Sequence, residues 1–342
     1  MKIGTGFIFL LIIALFACKN ATNKTNIPKE LVKIQFQGEA QGTYYAITYF
    51  DSLGRNLQAQ IDSLLKAFDL SASNYNPNSI ICKVNRNEEV VLDSIFIGNF
   101  LLAQRVSEET DGLFDITVRP LVELWGFGLK NREHVKNEQV KKLLPIIDYR
   151  KIRLEENKII KVDTAIKLDF NAIAQGYSVD VVAAFIESFG IQRYLVDIGG
   201  EVYAKNYKPD GQKWTVGVEK PSDNAEYGQE LMTSIELENR AMATSGNYRK
   251  FYIENGIRYS HTINPKTGFP VNHSLLSATI LAKTTGEADA YATAMMVMGL
   301  DAAKVFLAKH PELDAYLIYG DKSGNFATYE TPGMKGIVKA MK

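Results

Sequence analysis

Four stretches of the 342-residue chain bring together residue types that could carry chemistry. In Gly286-Glu287-Ala288-Asp289-Ala290-Tyr291-Ala292-Thr293, an acid and a hydroxyl stand four apart. On a helix Asp289 and Thr293 share one face. Both offer hard oxygen donors, which suit a cation such as Mg²⁺. The alanines between them leave room for a large group, and a helix N-terminus here would attract phosphate. An acidic first turn beside a space-filling Thr would look the same.

The second stretch is Leu168-Asp169-Phe170-Asn171-Ala172-Ile173-Ala174-Gln175-Gly176-Tyr177, a strand-like start running through small residues into a helix. Such a junction exposes main-chain N–H and C=O groups to a ligand, but it also fits an ordinary strand-to-helix turn. The third, Tyr259 to Pro270, sets His261 among turn residues. An imidazole there can act as base, acid or phosphate contact, or can simply be solvated. The fourth is Asp111-Gly112-Leu113-Phe114-Asp115-Ile116-Thr117-Val118-Arg119-Pro120 with Leu124-Trp125-Gly126-Phe127-Gly128, to which Tyr75 is added. Aromatic rings beside glycine turns can stack on a planar ligand or fill a core.

Several familiar sites are missing. The sequence has no G-x-G-x-x-G after a strand, no phosphate-binding G-x-x-x-x-G-K-[ST] and no G-x-S-x-G elbow. The four histidines, His134, His261, His273 and His310, are dispersed, which argues against zinc.

The elements that must position these groups mix without a strict β-α-β rhythm. Lys33–Phe36 and Tyr44–Phe50 read as strands around a Gln41-Gly42-Thr43 turn. Leu57–Phe68 and Phe96–Thr110 have helical spacing. Ala174–Phe189 is a helix closed by Gly190, followed by a strand at Tyr194–Ile198. Trp214–Glu219, Ser234–Leu237, Ser277–Ala282 and Ala315–Tyr319 read as strands, and Gly286–Met298 and Ala302–His310 as helices. The expected fold is therefore α+β: a single mixed domain, residues 31–342, with largely antiparallel sheets and packed helices.

Lys+Arg and Asp+Glu both number 39, so the formal charge is zero, and no nucleic-acid partner is expected. The N-terminus differs from the rest. Lys2 precedes a wholly apolar run, Phe7 to Ala17, too short for a membrane span of about 20 residues but suited to a signal peptide. Leu15-Phe16-Ala17-Cys18 resembles a bacterial lipoprotein cleavage box. That resemblance implies removal of residues 1–17, lipidation of Cys18 and a membrane anchor on the exported, periplasmic side of the cell envelope. A plain signal peptide with an incidental Cys is the alternative. Residues 18–30 follow as lipidated Cys and polar tether, and Cys82 would be the only other cysteine.

Taken in order, QGTYYAITY, SNYNPNSIICKVN, TDGLFDITVRPLVELWGFG, KLDFNAIAQGYSVD, YLVDIGGEVYAK, ATSGNYRKF, RYSHTINPKTGFPV and EADAYATAMMVMG resemble the FAD:protein FMN transferases, flavin transferases of the ApbE type. The resemblance spans Gln41 to Gly299. It implies Mg²⁺-dependent transfer of FMN from FAD to a Thr hydroxyl of a cell-envelope acceptor protein, with release of AMP. An FAD pyrophosphatase, or a flavin-binding lipoprotein without catalysis, would share the site. By the same resemblance, Gln41, Tyr75, Leu113, Phe114, Asp115, Asp169, Gln175, His261 and Ile263 contact the cofactor. Asp289 and Thr293, with the carbonyls of Ala172 and Ala292, hold Mg²⁺, and Asp289 or His261 takes the proton. Three positions depart from the usual pattern: Gln41 stands for Met, Ile116 for Pro, and Asn171-Ala172 with Gln175 for Gly-Gly with Lys.

Overall fold

The first folded element is a hairpin of β1 (Val32–Ala40) and β2 (Thr43–Asp51). Ala40 pairs with Thr43, leaving Gln41 and Gly42 as a two-residue turn. Both have positive φ, 55° and 74°, the geometry that matches the twist of the flanking strands. The structure, a computed structural model, describes residues 30–127, 135–221, 230–247, 251–254 and 257–340. The apolar leader, Cys18, residues 19–29 of the tether, Gly128 and His134 lie outside the described residues.

A helical excursion follows, with α1 (Gln58–Ala72), α2 (Ile80–Asn85), α3 (Ser94–Glu109), α4 (Arg119–Leu124) and α5 (Asn137–Leu143). A small hairpin, β3 (Ile152–Glu155) and β4 (Lys158–Lys161), leads into α6 (Ala174–Ser188). Strands β5 (Tyr194–Ile198), β6 (Glu201–Lys205), β7 (Trp214–Glu219), β8 (Leu231–Leu237), β9 (Arg240–Gly246), β10 (Phe251–Glu254), β11 (Ile257–Ser260) and β12 (Leu275–Ala282) come next. The chain ends with α7 (Thr285–Met298), α8 (Leu300–Lys309), β13 (Asp314–Gly320), β14 (Phe326–Glu330) and β15 (Val338–Ala340).

Eight strands form one sheet in the order β1-β2-β5-β6-β9-β12-β13-β14, with neighbours antiparallel throughout. On one face Ala241, Ala243, Ala278, Ile280 and Leu317 pack with the alanines and methionines of α7. On the other, Met242, Leu281, Tyr316 and Ile318 pack with Trp214, Val218, Ile235 and Leu237 of a second sheet, ordered β15-β8-β7. Central strands are thus covered twice, which is why β12 is buried almost continuously instead of alternating. The α+β expectation holds, and every strand and helix read from periodicity is present with ends shifted by a few residues. Gly190, at φ 77°, closes the turn after α6 as expected.

One ion pair ties the excursion back to the sheet. Asp51, buried at the end of β2, takes both Nε and Nη2 of Arg55 at 2.9 and 2.8 Å. The same guanidinium donates to the carbonyl of Phe189 at the end of α6, at 2.9 Å. Hydrogen bonds from Arg55 hold the Asp51 carboxyl far below the usual carboxylate range. Because its folded pKa is depressed, its contribution is complete above an unfolded pKa of about 4 and is lost as pH falls below that. Asp51→Asn should therefore lower the melting temperature at pH 7, and the gap from wild type should narrow between about pH 4 and pH 2, read by thermal melts at both ends. A constant gap would contradict the assignment.

Candidate active site

A cavity of about 690 Å³ opens at the meeting of α7, the 168–172 segment, the β5–β6 turn and the 261–265 loop. It is lined by Tyr75, Leu113, Phe114, Asp115, Asp169, Ala172, His261, Ile263, Asp289 and Thr293, so ten sequence-derived candidates from separate stretches converge. Gln41, Gln175 and Ala292 do not line it. Ala292 is wholly buried within α7, and Gln41 sits in the β1–β2 turn with its amide nitrogen buried and unpartnered.

Side-chain amides, with one main-chain bond from the Asp169 N–H to the Ile116 carbonyl at 2.7 Å, hold the 168–171 segment, which belongs to no strand. Asn74 donates to the Leu168 carbonyl and accepts from the Phe170 N–H, both at 3.0 Å. Asn85 brackets Leu168 from the other side, accepting its N–H at 2.6 Å and donating to its carbonyl at 2.8 Å. Asp169 is thereby presented to the cavity while its Oδ1 accepts the Asn171 N–H at 2.9 Å. Burial raises the Asp169 carboxyl, and the Arg119 guanidinium, 3.4 Å away, opposes that shift. Arg119 is itself buried and bridged through Glu123 to Lys167.

Asp115 also lines the cavity, but its oxygens are engaged internally. Oδ1 accepts from the Thr117 N–H and hydroxyl at 2.8 and 2.7 Å, and Oδ2 from the Tyr149 N–H at 2.9 Å. It caps the single turn Ile116–Val118 and so fixes the Leu113-Phe114 wall. Trp125 does not reach the cavity. Its Nε1 donates to the Gly268 carbonyl at 2.8 Å, and its ring packs with Leu121, Val140 and Ile263 beneath the His261 loop. Phe127 does line the cavity and meets His261 edge-on, at 6.4 Å between centroids.

On α7 the Asp289 Oδ2 accepts the Gly176 N–H at 3.0 Å. Its other oxygen has no hydrogen-bond partner among the described residues. Burial, reinforced by the charge of Asp180, pushes this carboxyl up to about 7, against the Gly176 bond. Glu201, also in the lining, is raised by burial and by the charge of Asp289. Thr293 Oγ1 lies 3.1 Å from Ser245 Oγ. Two carboxylates that repel one another, Asp289 buried and Glu201 half-buried, with the Thr293 hydroxyl on the same helix face as Asp289, are a donor set that a cation would relieve. No cluster of three or more His, Cys, Asp or Glu side chains suited to a metal occurs among the described residues.

The expectation that the N-terminus of this helix would draw phosphate is corrected. The Thr285 and Gly286 N–H groups donate to Asp180 at 2.7 and 2.8 Å. Thr284 and Glu287 form a capping box, so the free N–H groups are already taken. The alanines of the helix do not admit a ligand either. Ala288, Ala290, Ala292 and Ala294 are core contacts.

Residues to which no role had been given also line the cavity: Asn171, Asp197, Gly199, Gly200, Glu201, Thr244 and Ser245. For the β5–β6 turn, the sequence signal that could have marked it is the Gly199-Gly200 pair directly after the Tyr194–Ile198 run. Gly199 and Gly200 have φ of 64° and 105°, and the Gly200 N–H donates to Asp197 at 2.9 Å. Gln175 lies beneath this turn, donating to the Ile198 carbonyl at 2.9 Å and to the Glu201 carboxylate. A Cβ on Gly199 would come within 1.9 Å of the Gln175 amide nitrogen.

Asn74→Ala should leave the Phe170 N–H unpaired, at about 1–3 kcal/mol for a buried group without a partner, while the Leu168 carbonyl keeps its bond from Asn85. Denaturant unfolding should show that loss, with weaker ligand binding because Asp169 is released. Unchanged stability would mean that Asn85 and the main-chain bond from the Asp169 N–H to the Ile116 carbonyl hold the segment without Asn74.

Comparison with known proteins agrees with this geometry. The ApbE family profile matches residues 41–317. An FAD:protein FMN transferase of Haemophilus influenzae is 33% identical, covering 96% of this chain and 98% of that protein. One from Vibrio cholerae is 36% identical over 79% of this chain and 83% of its own length. Among solved structures, the flavin transferase ApbE from Vibrio cholerae superposes with a TM-score of 0.79 at 33% identity, covering 90% of this chain and 99% of that one. The apo flavinyl transferase ApbE of Pseudomonas stutzeri gives 0.81 at 28% identity, covering 90% and 97%. With the ordered motifs brought to one cavity and the profile matching most of its length, the chain belongs to the ApbE family.

Proposed function

We propose that this protein is an FAD:protein FMN transferase, moving the FMN half of FAD onto a threonine hydroxyl of an acceptor protein and releasing AMP. The observation that carries the reading is the convergence of Asp289 and Thr293 on the cavity that also holds Tyr75, Leu113, Phe114, His261 and Ile263. Its volume, about 690 Å³, is in the range of pockets for ligands of this size. The names of the relatives support the same reaction.

Tyr75, more than half exposed, stands where a ring can stack on it, and Leu113 and Phe114 supply an apolar wall. Asp169, backed by Arg119, offers a carboxylate acceptor to polar groups of FAD. Gln175 acts on the ligand indirectly, through the Gly199-Gly200 turn it supports. A Mg²⁺ ion held by Asp289, Thr293 and the Ala172 carbonyl would neutralise charge on the pyrophosphate. In the transfer, the acceptor hydroxyl oxygen bonds to the phosphorus of the FMN half. The bond from that phosphorus to the bridging oxygen breaks, and AMP leaves with that oxygen. His261 is assigned the hydroxyl proton, because imidazole accepts protons near neutrality and Asp289, bonded by Gly176, would give its other oxygen to a cation.

The test is the intact mass of an acceptor domain incubated with FAD, Mg²⁺ and the protein. The expected gain is FMN less one water, and Asp289→Ala should slow it by about 10³-fold, the size of losing several kcal/mol of charge stabilisation. No gain beside an active relative would sink the reading. FMN and AMP released at full rate without acceptor would make the protein a pyrophosphatase instead.

We further propose that residues 31–342 are the transferase domain, and that Cys18 carries lipid holding it, through a tether ending near residue 30, on a membrane of the cell envelope. The apolar run ending at Cys18 supports this. Wild type should partition into detergent and Cys18→Ser into the aqueous phase. Equal partition of the two would count against the anchor.

A further inference from the structure

Asp289 and Thr293 are useful only if α7 is held at one axial position and one rotation, and two contacts from α6 do this. The Gly176 N–H reaches the Asp289 Oδ2 at 3.0 Å. One turn later on the same face of α6, the Asp180 carboxylate accepts the Thr285 and Gly286 N–H groups at 2.7 and 2.8 Å. The helices meet almost backbone to backbone between these points. A Cβ on Gly176 would lie 2.4 Å from the Thr285 carbonyl oxygen, and one on Gly286 would lie 3.4 Å from the Tyr177 Cα. Thr284 and Glu287 already supply a cap from within α7. What Asp180 adds is a bond to another helix, with each of its oxygens on a different N–H.

We infer that Asp180, which does not line the cavity, is a positioning residue for the cation site, fixing α7 on α6 so that the unpartnered oxygen of Asp289 and the Thr293 hydroxyl present one geometry. The inference rests on the Mg²⁺ reading above. A rigid helix carries a displacement at its first turn undiminished to a residue one turn on. Mg²⁺ demands near-ideal octahedral placement of its ligands, with distances held to about 0.2 Å. Loss of the clamp should thus weaken the cation more than the dinucleotide, whose contacts are spread over other elements.

The experiment uses Mn²⁺ as a probe, titrated by electron paramagnetic resonance in the absence of FAD, beside metal-free FAD binding followed by flavin fluorescence. Asp180→Asn keeps the shape but only one acceptor oxygen. The expected result is a Mn²⁺ dissociation constant raised about tenfold, as for loss of a group supporting a metal ligand, with FAD affinity unchanged. Thr285→Pro deletes one of the two N–H groups at the first helical position, where proline is tolerated, and Thr284 already has the extended backbone that proline requires. It should act in the same direction, and it decides the matter if Asp180→Asn does not accumulate as folded protein. Wild-type Mn²⁺ affinity in a folded variant would overturn the inference, as would a parallel loss of FAD affinity. Wild-type protein that binds no Mn²⁺ would instead remove the cation reading on which it stands.

Discussion

A helix buried on every side dictates much of this structure. α7 lies between the main sheet and α3, α6 and α8, and eleven of its residues are buried. Such a helix has no solvent face on which to place polar groups, so each must find a partner or open onto a cavity. Small residues let the neighbours close in: Ala288, Ala290, Ala292 and Ala294 are all core residues, and Gly286 faces α6. The N-terminal N–H groups are met by Asp180 and the capping box. In its middle the Tyr291 hydroxyl donates to Glu109, and Asp289 and Thr293 meet the cavity.

This burial also decides what could be read from the sequence. α1 shows a clear apolar stripe because one side is wet, and α7 does not, since its residues are apolar or small all round. β9, with the composition Arg-Ala-Met-Ala-Thr-Ser-Gly, has one β-branched residue, Thr244, and lacks the alternation that would mark a strand. It is nonetheless central, because the alanines that weaken its strand signal are what allow α7 to sit on it. Periodicity did locate β2, β5 and β12, where alternation or length was enough.

For the site, residue type and spacing were good guides to which residues gather at the cavity and poor guides to the hydrogen bonds each makes there. Asp115 and Trp125 belong to the ordered motifs, yet the first is a cap and the second a pillar under a loop. Gln175 was expected at the cofactor and is found one layer behind, under a glycine turn. Asn74 and Asn85 carried no expectation, because an amide that substitutes for a missing strand is visible only once the segment it holds is placed 94 and 83 residues away. Long-range pairing of this kind leaves no local pattern to read.

The topology of the sheet has a kinetic side. β2 completes its hydrogen bonding on β5, and Tyr44 reaches Asp197 across 153 residues of sequence. The chain from α1 to α6 forms the loop that this seam closes. A long closure of this kind raises the entropic barrier and slows folding, and until it happens the β1–β2 hairpin has an unpaired edge. The Gly199 N–H bonds the Tyr44 carbonyl at 3.0 Å, and both residues line the cavity, so the seam ends at the cavity wall. A molecule seated there spans a joint between distant parts of the chain and ties occupancy of the pocket to the stability of the folded state.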